Sequence, residues 1–200
     1  MIVVGITGLI GSGKSTVSCI FIKNTKVYFF NSDLYVKKLT LKNKSVQKEI
    51  YHFFPNCFIE GVLDKNIFRK LVFSNYNENI KILERIFHNR VIKKIKQFIF
   101  LKKLLFWKKS IILLEVPLLF ESKINKLCNY NILVICSTNV QEERVLKRDK
   151  IDINTLNTIR IKQGDNNSKI DQVDFIINNN DDLYCLEQQV KIIINKIAKC

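Results

Sequence analysis

Two rhythms of apolar and polar positions alternate along the 200 residues of the chain. Five short apolar runs read as strands: Ile2–Ile6, Lys26–Phe30, Ile111–Val116, Tyr130–Cys136 and Asp174–Ile177. Ile111-Ile112-Leu113-Leu114 is continuously apolar, as in a strand covered on both faces. Helical spacing fills the intervals. It runs through Ser15–Lys23, Ser45–Phe54, Asp64–Ser74, Glu78–Trp107 and Asn139–Lys150, with Pro55-Asn56 and Gly61 as breaks. In the last segment Leu183, Leu186, Val190, Ile193, Ile194 and Ile197 share a helix face, with Asn180 or Asp181 as the expected cap. Strands separated by helices predict α/β layering around a five-stranded parallel sheet.

A chain of this length with 47% hydrophobic residues forms one domain by default. Its core is expected from residues 1–38, 110–138 and 166–200. A helical insert over 39–109 is too long for a loop and reads as a substrate-side subdomain. Residues 139–165 form a short lid. The apolar stretch Phe98 to Trp107 is interrupted by Lys102 and Lys103 and falls short of the ~20 residues a membrane span needs. The first residues lack a basic segment ahead of their apolar run, so they read as a core strand and not a signal peptide. A soluble cytoplasmic protein with no membrane partner is expected. Cys19, Cys57, Cys128, Cys136, Cys185 and Cys200 are scattered without a C-x-x-C pair, which argues for free thiols, several in the core, and against zinc. Trp107 reads as an amphipathic anchor.

Chemistry enters with Gly8-Leu9-Ile10-Gly11-Ser12-Gly13-Lys14-Ser15, which fits G-x-x-x-x-G-K-[ST] between a strand and a helix. Glycines there let several N–H groups surround one anion, and the following helix turns its positive end toward it. Gly11, Ser12, Gly13, Lys14, Ser15 and Thr16 are the nucleotide-binding candidates. Lys14 would reach the β- and γ-phosphate oxygens of ATP, and Ser15 would ligate Mg²⁺. Glu115, at the end of its strand, is a second metal candidate, holding Mg²⁺ through water. The pair Arg144 and Arg148, four apart on one helix face, suits phosphate clamping; a surface helix laced with Glu–Arg pairs is the other reading. The net charge of +15 admits a nucleic-acid partner, but the lysines are spread through the chain. Solvated helix faces, as at Lys93, Lys94, Lys96, Lys102, Lys103, Lys108 and Lys109, plus attraction for a polyanionic ligand, account for it without a stable nucleic-acid complex.

Further landmarks follow in order. They are Asn31-Ser32-Asp33, Gly61-Val62-Leu63-Asp64 with Leu71-Val72-Phe73, Glu115-Val116-Pro117-Leu118-Leu119-Phe120-Glu121 and Gln141-Glu142-Glu143-Arg144. Then come Arg148-Asp149, Gln163 and Lys169, and finally Val173-Asp174-Phe175-Ile176-Ile177-Asn178-Asn179. Together with Gly5 to Val17 they resemble the dephospho-CoA kinase family over residues 1 to about 180. The sequence departs from the family pattern at Leu9, Asn31, Glu115 and Asn178, and at His88-Asn89 where His-Pro is common.

The resemblance implies a three-layer P-loop fold and ATP-dependent phosphorylation of dephospho-CoA at its ribose 3′-hydroxyl, with Mg²⁺. It gives Asp33 the catalytic base, Lys14 and Arg144 the transferring phosphoryl group, and Arg148 a part in nucleotide binding. Asp33, His88, Pro117 and Leu118 fall on the acceptor side, although packing or capping remains open for His88. A monomer or weak oligomer is expected. The alternatives are another small-molecule P-loop kinase acting on a nucleoside or nucleotide, and a basic nucleic-acid-binding P-loop protein.

Overall fold

A computed structural model describes residues 1–74, 76–106, 110–149, 153–163 and 167–199. It divides into two compact units, Met1–Asn31 with Gln97–Cys200, and Ser32–Lys96.

The first unit is built on the strands β1 (Ile2–Thr7), β2 (Val27–Asn31), β5 (Ile111–Glu115), β6 (Tyr130–Ile135) and β7 (Phe175–Asn178), which form one sheet in the order β2-β5-β1-β6-β7. Every pairing in it is parallel. Parallel neighbours require crossovers, which the helices α1 (Lys14–Asn24), α6 (Thr138–Asp149), α7 (Ile153–Gln163) and α8 (Asn167–Ile170) share with the second unit, while α9 (Leu183–Lys199) follows the last strand. Alternate residues of each strand point to opposite faces. On one face Val4, Ile6, Ile111, Leu113, Ile132, Val134 and Ile177 close over Val17, Ile20 and Phe21 of α1 and Leu186, Val190, Ile193, Ile194 and Ile197 of α9. On the other, Val3, Ile112, Leu114 and Leu133 are equally buried. There Phe98 meets Phe30 of β2, and Tyr28 stacks on Phe106 with the Lys102 ammonium over its ring. Burial on both faces explains the unbroken apolar runs.

Register sets up the chemistry. Ile6 of β1 pairs with Glu115 of β5, and Glu115 pairs with Asn31 of β2. The C-terminal ends of these three strands therefore share one sheet edge, where open parallel sheets bind ligands.

The second unit contains α2 (Ser32–Lys42), α3 (Lys44–Phe53), α4 (Lys65–Ser74) and most of α5 (Tyr76–Leu105), with a two-stranded antiparallel ribbon of β3 (Phe58–Ile59) and β4 (Val62–Leu63). Asn43 caps α3 by accepting from Val46 N–H, and Asp64 accepts from Asn66 and Ile67 N–H at the start of α4. The Glu49 carboxylate pairs with the Arg90 guanidinium between α3 and α5.

Several details differ from expectation. The cap of α9 is Asp182, not Asn180 or Asp181: its carboxylate accepts from Cys185 N–H at 2.8 Å. Gly61 turns a short hairpin instead of merely breaking helices. Asp33, expected at the C-terminal end of the second strand, stands in the first turn of α2. Of the cysteines, Cys57 is buried, whereas Cys19 and Cys185 are exposed. Trp107, Lys108, Lys109, Lys150 and Cys200 lie outside the described residues.

Candidate active site

The loop Gly8–Gly13 joins β1 to α1. Gly13 is the residue before α1 and adopts φ 92°, ψ 22°, a left-handed conformation that glycine tolerates. A Cβ there would lie 1.9 Å from Asn179 Nδ2, so the position is closed to larger residues on steric grounds as well. The helix carries no side-chain cap and no acidic residue in its first turn, leaving that end suited to an anion. The Lys14 ammonium lies across the loop, donating to Gly8 O at 2.8 Å and Leu9 O at 2.9 Å. Ser12 is buried, and its hydroxyl has no hydrogen-bond partner among the described residues.

Beneath the loop, Glu115 is 3% exposed. Its two carboxylate oxygens accept from Ser15 and Ser18, both at 2.8 Å. Ser15 and Ser18 are three residues apart, one helix turn, and so share the face of α1 that looks at β5. A hydroxyl and a carboxylate in contact are a hard-oxygen donor pair of the kind Mg²⁺ prefers. The residues present therefore fit a magnesium nucleotide.

Arg144 and Arg148 of α6 line a cavity of about 430 Å³ with Gly11, Gly13, Thr16, Lys147 and Asn179. Arg144 donates to Asn179 O at 3.1 Å, while the Asn179 side chain donates to Ser12 O at 2.8 Å. Asn179 thus braces the loop and seats the arginine. Sequence reading missed both Asn179 and Ser18. Asn179 stood within a matched motif with no chemistry attached, and the spacing Ser15–Ser18 was the available signal for the other. Burial pushes the nearby Cys136 thiol above its ordinary value, although Arg144, Arg160 and Lys14 pull it down.

The candidates after β5 hold structure together through their backbone. Pro117 O accepts from the Thr7 hydroxyl at 2.8 Å, and Leu118 O accepts from Ser122 N–H. Asp33 and His88 belong to the second unit. One side of α2 carries Asp33, Val36, Lys37, Thr40 and Leu41, which line a cavity of about 440 Å³ within that unit, together with Leu63, Lys65 and Phe68. His88 is exposed on α5 and is not part of that lining.

A strand–loop–helix phosphate cradle with a serine–carboxylate pair, set on a parallel α/β sheet, defines a P-loop nucleotide enzyme. The family model for dephospho-CoA kinase matches residues 2–184. A dephospho-CoA kinase from Fusobacterium nucleatum is 37% identical over 196 residues, covering 96% of each chain. One from Bartonella quintana is 34% identical over 199 residues and covers both chains fully. The solved structure of the dephospho-CoA kinase from Campylobacter jejuni superposes with a TM-score of 0.68 at 26% identity, covering 98% of this chain and 97% of that one. The chain belongs to the dephospho-CoA kinase family. It is accordingly a nucleotide-using phosphotransferase acting on dephospho-CoA. No helix among the described residues is long and apolar enough to cross a membrane.

Proposed function

We propose that the chain transfers the γ-phosphoryl group of ATP to the ribose 3′-hydroxyl of dephospho-CoA in the presence of Mg²⁺, giving coenzyme A and ADP. The observation that carries this reading is the contact of Ser15 with Glu115 directly beneath the loop that bears Lys14. Phosphoryl transfer needs in-line positioning and charge neutralisation more than covalent help. The Gly11–Thr16 backbone and Lys14 hold the donor phosphates. Ser15 and Glu115 would hold Mg²⁺, which would supply charge neutralisation to the donor phosphates. Arg144 contacts the transferring group, Arg148 holds the nucleotide, and the lid helix limits access of water.

Asp33 is the base. It follows the last residue of β2 by two positions and takes the proton of the 3′-hydroxyl as the oxygen bonds to phosphorus and the β–γ bridge bond breaks. The unit Ser32–Lys96, with His88, serves the acceptor; Pro117 and Leu118 are substrate-binding candidates of their own. Both substrates are polyanions, and the charge of +15 favours their encounter. The enzyme works in the cytoplasm as a monomer or weak oligomer, with no nucleic-acid or membrane partner.

The test is product analysis. With ATP, Mg²⁺ and dephospho-CoA, a product of coenzyme A mass bearing a 3′-phosphomonoester by ³¹P NMR is expected. Turnover of a nucleoside panel without turnover of dephospho-CoA would overturn the reading.

A further inference from the structure

Four landmarks of the sequence, Gln141, Gln163, Lys169 and Glu121, have no chemistry of their own in the transfer reaction. The structure joins them in one chain of contacts that ends on a single residue of the phosphate-binding loop. Ile10 N–H donates to Gln163 Oε1 at 2.8 Å, and Ile10 O accepts from Gln141 Nε2. Gln141 sits on α6 and Gln163 at the end of α7, so two helices grip one residue from its two polar ends.

Each amide is itself held. The Gln141 side chain is buried, and its Oε1 accepts from Arg160 Nε at 2.7 Å, which fixes the nitrogen as the end that meets Ile10. Arg160 also pairs with Glu142 at 2.7 Å and donates to Thr138 O at 3.1 Å. On the other side, the Lys169 ammonium is 4% exposed by residue and donates to Gln163 O at 2.8 Å while pairing with Glu121 at 3.0 Å. A buried lysine is costly unless paired, and this one spends its charge on anchoring Gln163 to the segment after β5. Close approach completes the seat: a Cβ on Gly11 would meet Val145 Cγ2 at 2.6 Å and Gln141 O at 3.0 Å.

We propose that Gln141 and Gln163 are positioning residues that set the shape of the phosphate-binding loop by clamping the backbone of Ile10 on both sides, and tie that shape to the helix carrying Arg144. A loop that wraps an anion turns its N–H groups inward, so its own backbone cannot satisfy all its polar groups internally. The two glutamines supply the missing partners at Ile10. Gln141 lies one turn before Arg144, so the residue that holds the loop also sets the height of the arginine above it. Loop geometry and arginine placement are in this way one variable.

The two amides have opposite polarity, and that gives the test. Gln163 accepts, so glutamate at 163 keeps the bond; Gln141 donates, so glutamate at 141 loses it. The full-length variants Gln163→Glu, Gln163→Met, Gln141→Glu and Gln141→Met are compared in KM for ATP and kcat, and in hydrogen exchange of the Ile10 amide without ligand. Gln163→Met is expected to raise KM for ATP and Ile10 exchange by about tenfold, the worth of one hydrogen bond. Gln163→Glu recovers most of that loss, whereas Gln141→Glu is as damaging as Gln141→Met. Equal effects of glutamate at the two positions, or unchanged Ile10 exchange in Gln163→Met, would overturn the proposal. If Gln163→Met does not fold, the contrast between the two glutamate variants decides alone. The inference rests on the reading of the loop as the ATP site. The exchange measurement needs no substrate, so its failure is distinguishable from failure of that reading.

Discussion

The Glu115 carboxylate accepts the Ser15 hydroxyl at 2.8 Å across the gap between β5 and α1, joining the two metal-ligand candidates. Its second oxygen is taken by Ser18, so the carboxylate is oriented at both ends. Glu115→Gln replaces one of the two acceptors by a donor facing a hydroxyl and removes the charge. The expected result is an apparent Mg²⁺ affinity weaker by about 10–100-fold, the range for outer-shell changes. Ser18→Ala leaves the charge and should cost less. Titration of ADP release with Mg²⁺ at saturating ATP measures both.

Gly13→Ala meets two separate obstacles, the φ of 92° and the approach of Asn179 Nδ2 to 1.9 Å of the new methyl carbon. The strained backbone alone costs about 1–3 kcal/mol. A lower melting temperature and loss of ATP binding are expected. Adding Asn179→Ala should relieve the steric part and recover some stability, but not ATP binding. Thermal denaturation with and without ATP separates these effects.

Cys128 gives a pH prediction. Burial, and then the Asp174 carboxylate, push its thiol up to about 12 from the ordinary 9.0. The folded state therefore holds this proton more tightly than the unfolded chain. The contribution is fully present below about pH 9 and is lost as pH rises toward 12, at up to about 1.4 kcal/mol per pH unit. Urea denaturation at pH 8 and pH 10 should show a smaller alkaline loss in Cys128→Ser than in the parent chain. An identical loss would place the alkaline sensitivity elsewhere.

How far the sequence could be read depended on how local each signal was. The strands of the main sheet were legible because burial on both faces imposes continuous apolar runs such as Ile111–Leu114. The phosphate loop was legible because its glycines, lysine and serine are contiguous. The strand order was not read: nothing in the run Ile111–Glu115 says that it inserts between β1 and β2. The β3–β4 ribbon escaped because two-residue strands have no period to detect. Asp182 escaped because Asn180 and Asp181 are equally good caps by type, and only the backbone path chooses among them. Of the candidate site, Ser15 and Glu115 meet, and Arg144 and Arg148 face one cavity with the loop. Asn179, Ser18, Gln141 and Gln163 act through contacts spanning up to 167 positions, which no local pattern encodes.

Acceptor-dependent ADP release, comparing the parent chain with Asp33→Asn, tests the central claim most directly. Asp33 is exposed in the first turn of α2 and asparagine matches it in size, so the variant should fold and bind ATP. The account predicts ADP formation that requires dephospho-CoA in the parent chain, and a kcat lower by roughly 10²–10⁴-fold in Asp33→Asn. ADP release indifferent to dephospho-CoA, or an Asp33→Asn variant that turns over as fast as the parent, would contradict it.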